Sequence, residues 1–451
     1  MGIDSNISRA KLGSRIGAIL VAAGGSVGLG NIWRFPYVLG ENGGGAFLLL
    51  YIGCIVMLGL PIMLAEMAIG RHTQRNVVGT YRVMNPRWKA LGYINIILSM
   101  LIMGFYFVVS GWTAEYFASS VTGELARLES VDQFTTFFNN FCANPWQPAL
   151  FAWLFIGLNH LIIALGVEKG IERSSKLLMP ILFIILIVMS VKALMMPGAA
   201  AGVEFLFKPD FSKISLDVFY QAMGQAFFSL SVGLGALITY ASYFSRKTNI
   251  VKTAVSVTVL DTLVAVIAGV MIFPVVFSVG IEPTSGPSLV FITLPAIFNT
   301  LPMSALWSSA FFLLLVIAAV TSTISLHEVV TLYIIEEWHV ARRKAAIITS
   351  LMAGTLATVA SLSLGTWSGF TIMGKSFFDA LDFFTSNILL PISGVAISVF
   401  AGWIVNKRIM RNELTNFGEH KFCLYPVFMV LLRYLCPVLV GVIFLNSVGV
   451  I

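Results

Sequence analysis

Long apolar runs alternate with short polar ones along almost the whole chain. Eleven runs stand out, at 16–40, 43–70, 90–119, 147–167, 171–196, 216–244, 249–281, 303–335, 344–364, 376–405 and 422–448. About 20 helical residues cross a hydrocarbon core of about 30 Å, so each run is long enough to span a bilayer. The spacing predicts an all-α integral membrane protein of about 11 transmembrane helices, folded as one domain over residues 1–451. Between the runs, 120–146 reads as a polar external loop. Residues 282–302 read as an external segment bearing Pro and Ser, with an apolar patch from Phe291 to Phe298.

Composition removes the soluble alternatives. With 58% hydrophobic residues, 11% charged ones and a mean hydropathy of +0.90, the length prior for soluble domains does not apply. The net charge of +7 raises the question of a nucleic-acid partner. Position answers it, because with the N-terminus inside most of the 28 Lys and Arg fall in cytoplasmic links, as the positive-inside rule requires. Cys54, Cys142, Cys423 and Cys436 are too scattered for a disulfide framework, and no metal-ligand spacing of Cys or His appears. The first run lacks a small-residue cleavage site and carries Arg34, so it is read as a retained helix rather than a signal peptide.

Two runs contain the same pentapeptide. SVGLG occurs at 26–30 and again at 231–235, in mid-segment both times. Five predicted helices begin with the first copy (16–196) and five with the second (216–405), leaving 422–448 as an extra helix. An odd number of crossings per unit inserts the two units with opposite orientation, the pattern of carriers built from inverted repeats. Chance or close helix packing is the plainer alternative, since small residues are common at membrane helix contacts. Glycines in mid-membrane loosen a helix, and the freed N–H and C=O groups must face an enclosed cavity, because each one left in lipid costs several kcal/mol. Freed carbonyls suit a small cation, and the positive end of the following half-helix suits a carboxylate.

Several other motifs fail on context. The stretch 369–376 (GFTIMGKS) matches the phosphate-loop pattern, but it follows no predicted strand and lies in a predicted external loop, which argues against an ATP-driven pump. Gly40, Gly43, Gly44 and Gly45 lack the dinucleotide spacing, and His327-Glu328 lacks the second His of a zinc motif. His160 on its apolar run reads as packed or hydrogen-bonded rather than as a proton relay. No enzyme constellation is present.

Residues 24–37 (GGSVGLGNIWRFPY), 41–47 (ENGGGAF), 224–233 (GQAFFSLSVG) and 238–243 (ITYASY) closely resemble the signature of the neurotransmitter:sodium symporter family, over residues 9 to about 440. The resemblance implies the leucine-transporter fold, with two inverted five-helix repeats and broken first and sixth helices. It implies sodium-coupled import of amino acids by alternating access, in a bacterial inner membrane with the C-terminus outside. Two sodium ions, and no organic cofactor, are implied. The first ion would take Ser26, Asn31, Ser229, Asp261 and the substrate carboxylate, and the second Gly24, Val27, Ala318, Thr321 and Ser322. All are hard oxygen ligands suited to an alkali cation.

The substrate site implied by the same resemblance comprises Gly25, Ser26, Gly28, Leu29, Gly30, Ile102, Tyr106, Phe228, Ser229, Ser231, Leu234, Ser322 and Leu326. Gly28 stands where monoamine carriers have an Asp, which implies a substrate that brings its own carboxylate. Apolar walls and room at Gly25 point to a hydrophobic or aromatic amino acid. Asp261 replaces the family's usual Asn, so its carboxylate is expected to supply the charge that chloride supplies elsewhere; a structural salt bridge is the alternative. Arg34 and Asp382 match the external gate, Arg9, Glu336 and Tyr243 the internal one. Glu66 is expected to accept hydrogen bonds from the loosened sixth helix. Gly170 and Pro180 are expected to let the fifth helix unwind. A proton-coupled carrier on the same scaffold, or a non-transporting receptor, remains as an alternative. The lipid bilayer and a small amino acid are the partners expected, with no nucleic acid and no protein partner.

Overall fold

The computed structural model describes residues 11–280 and 289–450. Each predicted apolar run is helical in it. The first is broken into α1 (Arg15–Ser26) and α2 (Gly30–Glu41), which meet at 53°. It is followed by α3 (Gly45–Thr73), α4 (Pro86–Val121), α5 (Gln147–Ala164) and α6 (Val167–Leu194). The sixth run is also broken, into α7 (Leu216–Ser229) and α8 (Ala236–Ala241). Then come α9 (Ile250–Ser278), α10 (Ser304–Trp338), α11 (Arg342–Leu362), α12 (Phe377–Ile404), the short amphipathic α13 (Lys407–Leu414) and α14 (Tyr425–Ser447).

Among the described residues nine helices are long and apolar enough to cross a membrane, and the bent pair α1 and α2 makes a tenth. The sixth predicted run fails that test because its break leaves each half, of 14 and 6 residues, too short. Burial sorts the helices into a centre and a rim. The most apolar windows of α4 and α10 are 78% buried, whereas those of α6 and α14 are 33% buried. A helix apolar all round with a third of its surface covered needs lipid for the remainder. α4 and α10 therefore form the centre of the bundle, where they pack on each other.

The loop chemistry follows this arrangement. The phosphate-loop look-alike forms a two-stranded antiparallel hairpin, β1 (Thr371–Ile372) and β2 (Lys375–Ser376), turned through the positive φ of Met373 and Gly374. It ends at Ser376, which caps the next helix by accepting from Asp379 N–H, and no buried strand precedes it. The apolar patch at 291–298 lies in a helix, Leu289–Asn299. Phe291 stacks on Phe138 at 5.6 Å and meets Trp112 edge-on at 5.7 Å, roofing one end of the bundle. His160 bonds Ser350 Oγ at 3.2 Å, and all four cysteines are free.

At the opposite end the charged links are tied together. Arg71, 3% exposed, gives Nε to Glu413 Oε2 of α13 at 2.6 Å, and its other nitrogens reach Glu413 O, Asn416 Oδ1 and the carbonyl of Thr248. Burial alone raises the Glu413 carboxyl, but His72 and Arg71 bonded to it hold it below the usual range. Arg82, nearly half exposed, pairs with Glu337. Removing one partner of a buried pair leaves an uncompensated charge, whereas an exposed pair contributes little. Arg71→Ala should therefore destabilise the protein by about 3 kcal/mol, and Arg82→Ala by less than about 1 kcal/mol. Thermal unfolding of the two variants in detergent checks the difference.

Candidate functional site

The break in the first helix comes at Val27, whose ψ of 110° takes it out of the helical region. Gly28 N–H is taken by Asn31 Oδ1 at 3.0 Å, and Leu29 N–H by the Tyr106 hydroxyl of α4 at 3.2 Å. The carbonyls are answered from other helices. Ser231 Oγ donates to Gly25 O at 3.0 Å, and Gln225 Nε2 to Gly30 O at 3.1 Å. The freed groups thus lie inside the protein, as the sequence requires.

The second break, between α7 and α8, has Ser231, Gly233 and Gly235 all at positive φ, 51°, 86° and 78°. Two glycines meet that geometry without strain, and Ser231 is the exception. Glu66 Oε2 accepts from Gly233 N–H at 3.3 Å, as expected. Asn95 Nδ2 and Ser393 Oγ both donate to Gly233 O, at 2.6 and 2.7 Å, and Ser99 Oγ donates to Leu234 O at 3.0 Å. Asn95, Ser99 and Ser393 escape a reading of the sequence, because single polar residues on apolar helices carry no motif. The one general signal is that an Asn on a helix destined for the centre of the bundle needs a buried partner.

Two oxygen clusters flank the first break. In one, Asn31 Nδ2 lies 2.8 Å from Asp261 Oδ1 and 3.0 Å from Ser229 Oγ, while Ser229 Oγ lies 2.7 Å from Asp261 Oδ2. Tyr51 donates to the same Ser229 oxygen at 3.0 Å. Asp261 is fully buried, and among the described residues it forms no salt bridge, so the alternative of a structural ion pair finds no support. In the other, Thr321 Oγ1 lies 3.4 Å from Val27 O and 3.0 Å from Ala318 O, and Ser322 Oγ 3.3 Å from Val27 O. Thr321 also reaches Ile317 O on its own helix at 3.1 Å. A side chain added at Gly24 would touch Thr321 Cβ at 3.4 Å, which puts Gly24 against the same cluster.

Between the clusters is a cavity of about 40 Å³ lined by every expected substrate residue except Leu29, together with Ser325 and Leu390. Leu29 lines a wider cavity of about 360 Å³ beyond it, with Arg34, Asp382 and the aromatic roof. Phe228 and Tyr106 border both cavities and divide them. The room expected at Gly25 is taken: a Cβ there would lie 3.3 Å from Ser325 Cβ and from the Tyr240 ring. At Gly28 it would lie 2.1 Å from Ser322 Oγ. Absence of a side chain at 28 is thus a packing requirement as well as a missing charge.

The gate residues fall less evenly. Arg34 and Asp382 share the wider cavity, but they form no ion pair within 4.0 Å. The Arg34 guanidinium lies over the Phe228 ring at 4.4 Å, and Asp382 accepts from Ser386 Oγ at 3.0 Å. Arg9 lies outside the described residues. Glu336 accepts from Asn76 N–H and Nδ2 at 2.8 and 2.9 Å. Tyr243 donates to Glu328, which also pairs with Arg342. Glu328 is fully buried and was visible in the sequence only as part of a failed zinc motif. Gly170 lies in the π-wound stretch Val167–Glu172, and Pro180 inside the following helix. A Cβ at Gly170 would lie 2.0 Å from Ile162 O, so this glycine also permits close approach of α5.

The model of the sodium:neurotransmitter symporter family matches residues 9–149 and 145–451. A sodium-dependent transporter of Bacillus subtilis, YhdH, is 36% identical over 440 residues, covering 97% of each chain. The human sodium- and chloride-dependent GABA transporter 2 is 27% identical over 387 residues, 76% of this chain and 64% of that one. Among solved structures, MhsT in complex with L-phenylalanine superposes with a TM-score of 0.90 at 41% identity, covering 98% of this chain and 100% of that one. The two broken helices, the cavity between them and these likenesses lead to one assignment: the chain belongs to the sodium:neurotransmitter symporter family, whose members are membrane carriers and not enzymes.

Proposed function

We propose that this chain imports amino acids with hydrophobic or aromatic side chains, coupled to two sodium ions and independent of chloride. The observation that carries the reading is the Asp261 carboxylate, buried beside the first helix break with hydrogen-bond donors but no basic partner among the described residues. An anion in that position needs a cation. The Ser229 hydroxyl, 2.7 Å from Asp261 Oδ2, brings a second side-chain oxygen, and Asn31 is the third residue of the set. Ser26 and the substrate carboxylate complete the first ion's shell, so neither ion nor substrate is fully held without the other. The second ion takes Gly24, Val27, Ala318, Thr321 and Ser322.

The substrate class follows from what the cavity offers. Gly28 leaves no room for a side-chain carboxylate, so the amine is not met by one there. Ile102, Phe228, Leu234 and Leu326 supply apolar walls, and MhsT, similar over nearly the whole chain, binds L-phenylalanine. The cavity of about 40 Å³ widens to admit such a side chain as Phe228 and Tyr106 part.

Residues 16–196 and 216–405 act as inverted repeats rocking about this site, in a bacterial inner membrane with the N-terminus inside. Arg34 with Asp382 closes the outer path, and Arg9 with Glu336, beside Tyr243, the inner one. Unwinding of α6 between Gly170 and Pro180 hydrates the second ion and releases it. One charge moved through 100 mV releases about 2.3 kcal/mol and a tenfold gradient about 1.4 kcal/mol. Two sodium ions therefore sustain a roughly 10⁵-fold accumulation of a zwitterion at full coupling.

Proteoliposomes test this directly, with a panel of labelled amino acids and sodium, lithium or potassium outside. Uptake of leucine- or phenylalanine-like substrates should require sodium and persist when gluconate replaces chloride; uptake driven by a proton gradient in potassium would favour the proton-coupled alternative. Asp261→Asn should raise half-saturating sodium by at least about 10-fold, the loss of one charge-assisted contact, and added chloride should restore part of it. Loss of wild-type uptake in gluconate would overturn the chloride reading. Gly28→Ala, whose methyl meets Ser322 Oγ, should weaken substrate binding by more than about 10-fold, measured by scintillation proximity.

A further inference from the structure

Glu172, on the first turns of α6, is only 1% exposed and carries a charge that neither oxygen cluster uses. Its Oε2 accepts from the backbone N–H of Gly13 at 2.6 Å, and its Oε1 from Ser14 Oγ at 2.9 Å. Lys176, one turn on and partly exposed, pairs with Oε1 at 2.6 Å. Ser14 is also the N-cap of α1, its Oγ accepting from Gly17 N–H. The carboxylate, the cap and the first turn of α1 thus form one chain of bonds. Gly17 makes the approach possible, since a Cβ there would lie 2.0 Å from Glu172 Oε1.

The position of this contact matters more than its strength. Glu172 ends the π-wound stretch Val167–Glu172, in which Gly170 and Ile171 both donate to the single carbonyl of Gly166. Such a turn has poorer hydrogen bonding than an α-helix. Eight residues on, Pro180 cannot donate to the carbonyl of Lys176. One and two turns above Glu172, Ser175 and Met179 pack against Gly24, on the wall of the Thr321 cluster. Just before the cap, Leu12 N–H donates to Tyr243 O at the end of the second broken helix.

We propose that Glu172 is a positioning residue, a latch that fixes the start of α1 to the weak first turns of α6. Loss of the ion beside Gly24 and Thr321, unwinding of 167–172 and release of 11–14 then occur as one step. In the latched state the carboxylate is kept from water by the segment it holds. Unwinding of α6 rotates the carboxylate away from Gly13 and Ser14, and water entering along the same path solvates it. The inference rests on the reading, given above, that α6 unwinds to release sodium.

Hydrogen–deuterium exchange of the full chain in nanodiscs tests it, following peptides over 11–20 and 165–176 in sodium and in potassium. In the wild type both should be protected in sodium and should exchange faster together in potassium. Glu172→Gln should speed exchange of 11–20 in sodium by at least about 10-fold, as expected for losing a charged acceptor. It should raise half-saturating sodium with little change in which amino acids are taken up, and Glu172→Asp should restore part of the protection. Gly17→Ala, which displaces the carboxylate without altering its charge, should give the same exchange pattern and add nothing to Glu172→Gln. Protection of 11–20 unchanged in Glu172→Gln, with 165–176 still opening in potassium, would overturn the latch alone. A wild-type 165–176 protected in both salts would overturn the unwinding reading, and the coupled step with it.

Discussion

A helix broken inside an apolar slab exposes peptide groups that no lipid can satisfy, and the organisation of this protein answers that constraint twice. At the first break the donors are taken by Asn31 and Tyr106 and the carbonyls by Ser231, Gln225, Thr321 and Ser322. At the second, Glu66, Asn95, Ser99 and Ser393 do the same. Apart from Asn31, the partners come from helices other than the one that is broken, so the breaks hold the bundle together rather than weaken it. The cavity and both oxygen clusters lie at these two points.

The two breaks also hold each other. Ser26 Oγ donates to Leu230 O, and Ser231 Oγ to Gly25 O, a reciprocal exchange between the two copies of the repeated pentapeptide. The residues that form it, Ser26 and Ser231, occupy the same place in SVGLG. Local sequence identity here has a structural counterpart, since matching residues meet across the cavity and each satisfies a group freed near the other's break. A change on one broken helix is felt on the other without an intervening wire of side chains.

Most of the fold was legible because the signals were long. Runs of 20 apolar residues, a duplicated pentapeptide and one-sided Lys and Arg leave few alternatives. The cavity lining was legible only through the family motif, which named the residues around the smaller cavity other than Ser325 and Leu390. What could not be read depends on tertiary approach. The space at Gly25 is filled by Ser325 and Tyr240, which are remote in sequence. Asn95, Ser393 and Glu328 are single polar residues whose partners come from other helices, and nothing in their neighbourhood marks them. Gly170 read as a hinge, and its contact with Ile162 O shows a second constraint at the same position.

Among the described residues Asp261, like Glu66 and Glu115, is buried without a basic partner, but it alone of the three lies beside the first helix break with Asn31 and Ser229. Glu328 has Arg342, Glu413 has Arg71 and Glu172 has Lys176. Each of those pairs lies toward the basic end of the bundle, where links between helices must separate and re-form if the ends are to move. Asp261 instead sits at mid-helix among Asn31, Ser229 and Tyr51, all neutral. A fixed cation there would neutralise the site permanently and leave nothing for a mobile ion to do. Neutral donors hold the carboxylate in place yet leave its charge uncompensated, which is what the proposed sodium site needs if an alkali ion is to be bound firmly enough to enter and weakly enough to leave.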